Sequence, residues 1–122
     1  MIYRTKTWAW RLMFTLCLSL TVWGLFTAAP PSAEFENSDK LMHFLAFGAV
    51  SVTGRLAFRT CSWWAFWLPV LVFALSAEFL QNWLQPTRFF SVWDAIANVS
   101  AVLIAWAALA MLALMKSMYY SS

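Results

Sequence analysis

The sequence predicts an all-α, polytopic membrane protein, a four-transmembrane-helix bundle with both termini on the cytoplasmic side. Hydrophobic residues make up 63% of the chain and charged residues 11%, against roughly 45–50% and 25% in a soluble domain. A globule of 122 residues has too little interior to hide that excess, so part of its solvent must be lipid. The charges are also segregated, with four apolar runs of near span length between them. Arg4, Lys6, Arg11, Arg55, Arg59 and Lys116 fall on one side of those runs and Lys40 and Arg88 on the other, which orients the chain by the positive-inside rule. Residues 1–122 read as a single domain.

The first span is placed over residues 12–29. No charge lies between Arg11 and Glu34, the run is long enough to cross the hydrocarbon core, and Pro30-Pro31 stops the helix. A cleaved signal peptide competes, because Arg4, Lys6 and Arg11 make a basic leader and Thr27-Ala28-Ala29 offers small residues for cleavage. The length of the apolar stretch and Trp23 near its far end favour a span. Bulky Leu16 argues against a lipoprotein anchor at Cys17.

The second span covers residues 40–58. Its uncharged stretch, residues 41–54, is short, and Arg55 and Arg59 lengthen it by snorkelling. The third, residues 61–83, contains Pro69 and Glu78; a proline kink is tolerated where neighbouring helices cover it. The polar break Gln85-Pro86-Thr87-Arg88 precedes the fourth span, residues 94–115, which is rich in Ala and Leu and closed by Lys116. Trp and Tyr near the ends of the spans suit interfacial belts.

On this topology the polar residues sort to one side. Asp39, Lys40 and His43 begin the second span, Glu78, Gln81 and Asn82 end the third, Arg88 lies in the following loop, and Asp94 and Asn98 begin the fourth. Asp39 and His43 are spaced i,i+4, as are Asp94 and Asn98, so each pair shares a helix face. Ionisable groups one turn inside a bilayer are costly unless they meet one another or water. His43, Glu78, Arg88 and Asp94 are therefore expected to converge in an outward-facing, water-accessible site.

Several of these residues also have plainer uses. Asp39 favours the helix dipole as a first-turn acid, Lys40 reaches headgroups, Ser91 and Asp94 have the spacing of a capping box, and Asn98 and Gln81 serve as interhelical glue. His43 and Glu78, inside apolar runs, are not explained that way.

The order Asp39-Lys40-Leu41-Met42-His43-Phe44 with Phe47, Glu78-Phe79-Leu80-Gln81, Pro86-Thr87-Arg88, and Ser91-Val92-Trp93-Asp94 with Asn98 resembles the motif of the VanZ-like family. The resemblance runs from residue 39 to about residue 105 and departs at Ala101, where a glycine is usual. It implies a multi-pass protein of the bacterial plasma (inner) membrane, in a family whose named member is associated with resistance to the glycopeptide teicoplanin. The resemblance supplies no biochemical activity.

Three uses of the polar site follow from its chemistry. Lys40 and Arg88 suit an anionic lipid or cell-envelope intermediate, with Asp39, Gln81 and Asn98 completing a binding site. His43, Glu78 and Asp94 are the candidate acid/base residues of an intramembrane enzyme acting on a lipid or envelope precursor. A buried network that only fixes helix packing or assembly is the third.

Other chemistries lack support. Cys17 and Cys61 form no C-x-x-C pair, and one His with no H-x-x-x-H spacing leaves no expected metal site. Gly24, Gly48 and Gly54 form no phosphate loop, so no cofactor is expected. Scattered Lys and Arg make no nucleic-acid stripe, and an inner half with little beyond Ser51 and Thr53 disfavours transport. Membrane lipids are the expected partners.

Overall fold

The computed structural model describes residues 2–26, 38–84 and 92–121, with the side chains of 2–5, 38 and 39 left aside. Its elements are four helices, α1 (Ile2–Phe26), α2 (Ser38–Ala57), α3 (Trp63–Leu84) and α4 (Val92–Ser121). Three of them are long and apolar enough to cross a membrane, over Lys6–Phe26, Trp63–Leu84 and Val92–Ser121. The exception is α2, whose composition is diluted by Asp39, Lys40, His43 and Arg55.

Two helices run well past the expected spans. α1 begins near the N-terminus, so the basic leader is helical, and α4 continues through Lys116 to Ser121. Charge marks where a chain leaves lipid, whereas a helix stops only where its backbone bonding or propensity fails. Pro69 lies inside α3, as expected for a bundle helix.

α2 packs most closely along α1 and α4, while α3 packs chiefly on α4 and makes narrower contact with α1 and α2. Contacts fix the directions. The beginning of α2 meets the beginning of α4 through His43 and Asn98, and the end of α1 meets the end of α3 through Leu25 and Gln81. The four helices thus run up-down-up-down, and the ends of α1 and α3 share one end of the bundle with the starts of α2 and α4.

The opposite end is built from arginines and aromatic rings. The Arg55 guanidinium sits 4.9 Å from the Trp63 ring centroid and 6.0 Å from that of Phe66, and its Nη1 donates to the Cys61 carbonyl at 3.0 Å. This ties the short α2–α3 turn by cation–π attraction and a charge-assisted bond. Arg11 Nε donates to the Ala57 carbonyl at 3.3 Å, close to the edge-to-face pair of Phe14 and Phe58. A Cβ on Gly54 would stand 2.9 Å from ring atoms of both Phe14 and Phe66, so three helices close on a position that only glycine fills without displacement.

Between the two ends, Phe47, Trp67, Ala74, Ala77, Ala101, Val102 and Ala105 form the buried core. Alanines on α3 and α4 allow the close backbone approach that membrane packing rewards. Ala101 is itself buried, so the residue standing at the usual glycine position is accommodated in the core. Ser51, Thr53 and Thr21 donate to the carbonyls of Phe47, Ala49 and Cys17 in their own helices, which satisfies these hydroxyls locally.

Candidate functional site

The polar end of the bundle holds a cluster assembled from three helices. α2 contributes His43, a turn and a half inside its start; α3 contributes Glu78 and Gln81 from its last two turns; α4 contributes Asp94 and Asn98, one turn apart on one face. Each of these five side chains is buried, the most exposed being His43 at 9%. One ligand atom from each of His43, Glu78 and Asp94 lies within 4.8 Å of the others. The arrangement is a closed polar core, in place of the open, water-accessible pocket expected from the sequence.

Asn98 organises the histidine. Its Oδ1 lies 3.0 Å from His43 Nδ1; with the amide in this orientation its oxygen can only accept, so the pairing calls for the tautomer with the proton on Nδ1. In the neutral ring Nε2 then presents its lone pair, ready to accept a proton or bind a cation. Asn98 is wholly buried, and its Nδ2 has no hydrogen-bond partner among the described residues. Gln81 does different work: its Nε2 donates to the Leu25 carbonyl at 2.8 Å, satisfying one of the last carbonyls of α1, which have no acceptor role inside their own helix. It therefore borders the cluster as a capping residue of a neighbouring helix.

The other expected site residues are placed less closely. Lys40 is half-buried on the first turn of α2, three residues before His43. Asp39 lies in the same turn with its side chain outside the described residues, as is the whole of Arg88. Convergence is thus observed for His43, Glu78 and Asp94, with Asn98 added to it.

Sequence reasoning discounts one feature and gives no notice of another. The His43, Glu78 and Asp94 grouping has the donor set of a metal site, yet its members come from three helices, so no short motif carries its spacing. A groove between α3 and α4, about 170 Å³ in volume, is lined by Trp64, Trp67, Leu68, Leu71, Val102 and Trp106, together with Leu103. Of these aromatics Trp64 reads from the sequence as part of an interfacial belt, whereas Trp67 is buried. The groove begins at Val102, one turn along α4 from Asn98.

A family model described as VanZ/LLP1 matches residues 2–114. Comparison with curated proteins and with solved structures finds no match. With nearly the whole chain matched, α1 included, the chain belongs to the VanZ/LLP1 family.

Proposed function

We propose that this VanZ/LLP1 protein crosses the bacterial inner membrane four times, with both termini cytoplasmic, and holds an anionic lipid or cell-envelope intermediate at its outward-facing polar end. The observation that carries this reading is the burial of His43, Glu78 and Asp94 within 4.8 Å of one another, because such groups are retained inside a membrane protein mainly where they bind, pair or react.

Several observations support the topology. α2 lies between α1 and α4, both of span length, and at 20 residues it reaches about 30 Å at 1.5 Å per residue. Its ionisable groups sit near its ends, as in a crossing helix. Arg11, Arg55 and Arg59 gather at the end away from the cluster, consistent with the positive-inside rule.

The groove of Trp64, Trp67 and Val102 extends from below the cluster along α3 and α4 and suits an acyl chain, with the headgroup at His43, Lys40 and Arg88. Glycopeptide susceptibility is the phenotype to examine, given the family. A second reading, acid–base catalysis on a lipid or envelope precursor, is favoured by one specific feature: the His43 ring is oriented by Asn98 beside two carboxylates, as a general base is.

The test is to extract the protein with its surrounding lipid and weigh the retained molecules by native mass spectrometry. Wild type is expected to hold an anionic lipid at near one per chain, and Glu78→Gln and His43→Ala to lose most of it while keeping their helix content. Equal retention by all three proteins overturns the binding reading. Release of a chemically altered lipid by wild type alone favours the catalytic one.

A further inference from the structure

We infer that His43, Glu78 and Asp94 bind one divalent transition-metal ion, zinc or manganese, with Asn98 as the residue that positions the imidazole. The donor set is one neutral nitrogen and two carboxylate oxygens, a mixture matching metals that accept imidazole and carboxylate together. A ring nitrogen of His43 and one carboxylate oxygen each of Glu78 and Asp94 lie within 4.8 Å of one another. Ligands about 2.0–2.1 Å from a tetrahedral metal stand roughly 3.4 Å apart, so side-chain rotation on fixed helices is enough to close the site. Three protein ligands leave a coordination position open, as in zinc sites that bind a further oxygen.

The independent observation is Asn98. A histidine that binds metal through one nitrogen nearly always donates the other N–H to an oxygen acceptor, which fixes its tautomer; His43 Nδ1 does this to Asn98 Oδ1 at 3.0 Å. The Nδ2 of the same amide is buried with no partner among the described residues, in a side chain that is itself wholly buried against the cluster. It is a donor waiting for an oxygen acceptor, and an oxygen held at the open metal position supplies one. On the reading proposed above, that oxygen belongs to the anionic headgroup, and the ion joins two carboxylates to a ligand that they would otherwise repel.

The experiment uses the full chain in nanodiscs, stripped with a chelator and titrated with Zn²⁺ or Mn²⁺ by calorimetry, with Co²⁺ as a spectroscopic substitute. One equivalent is expected to bind, with ligand-field bands for Co²⁺ and a higher melting temperature for the loaded protein. His43→Gln and Asp94→Asn should each weaken binding at least tenfold. Asn98→Leu, which removes no ligand, should weaken it by about 10–100-fold. Stripped wild type that binds no equivalent of either metal overturns the inference without needing any variant, as does unchanged binding in both ligand variants.

Retention of phosphatidylglycerol against phosphatidylcholine, with and without Zn²⁺, separates this inference from the function it builds on. Phosphatidylglycerol retained by a protein that binds no metal overturns the metal site and leaves the lipid reading standing. One equivalent of metal with no phosphatidylglycerol preference does the reverse.

Discussion

His43 Nδ1 and Asn98 Oδ1 meet at 3.0 Å, a side-chain bond that joins the start of α2 to the start of α4 inside the bundle. Interhelical hydrogen bonds of this kind contribute about 0.6 kcal/mol on average in membrane proteins and up to ~1.7. Its chemical effect is larger than its energy, because it selects one of the two neutral forms of the only histidine in the chain.

That selection can be observed directly. In ¹⁵N-histidine spectra of the detergent-solubilised protein, the single imidazole should show a protonated Nδ1 and a bare Nε2. Asn98→Leu should shift the ring toward the Nε2-protonated form preferred in solution, with a loss of stability of about 1 kcal/mol. An unchanged tautomer would mean that Asn98 does not orient the ring.

Gln81 offers a second, separable test. Gln81→Leu removes the donor to the Leu25 carbonyl while conserving bulk, so it should cost about 1 kcal/mol. Hydrogen exchange should speed up in the last turn of α1 while the middle of α4 stays protected. Uniform loss of protection would show that the bundle opens as one unit.

Two glycines of the same helix should respond in opposite ways. A side chain at Gly54 meets the rings of Phe14 and Phe66 at 2.9 Å, whereas at Gly48 it meets nothing within 4 Å. Gly54→Val should therefore destabilise by about 1–3 kcal/mol through overpacking. Gly48→Ala should be neutral to within ~0.5 kcal/mol, and thermal melts of the two variants would compare them.

Topology is tested independently of the site. A reporter fused after Ser122 should remain cytoplasmic, and a cysteine introduced at Asn37, between α1 and α2, should react with an impermeant reagent from outside. An external C-terminus would invert the proposed direction of the polar end.

The helices were legible in the sequence because a span must exclude charge, and the runs between Arg11 and Glu34 and between Ala95 and Met115 do so. Helix ends were not, since α1 and α4 continue into stretches where Lys6 or Lys116 is solvated at no cost to the backbone. The grouping of His43, Glu78 and Asp94 was foreshadowed by their confinement to one end. Their closure was not, because burial depends on how α3 settles against α4. Gln81 reads as interhelical glue, and it does join α3 to α1; its partner there is a carbonyl, which every residue carries, so nothing in the sequence singles out Leu25. Gly54 was likewise silent, since its role comes from two rings supplied by other helices.

The two polar ties of α1 have a mechanical consequence. Arg11 bonds to the Ala57 carbonyl on α2, and the Leu25 carbonyl accepts from Gln81 on α3. These anchor points lie about 21 Å apart along the helix axis at 1.5 Å per residue, and each fixes height as well as neighbour. A piston stroke of α1 breaks both together, whereas tilting about either anchor strains only the other. A tilt of α1 about one of these two bonds therefore breaks fewer polar contacts than a slide along its axis.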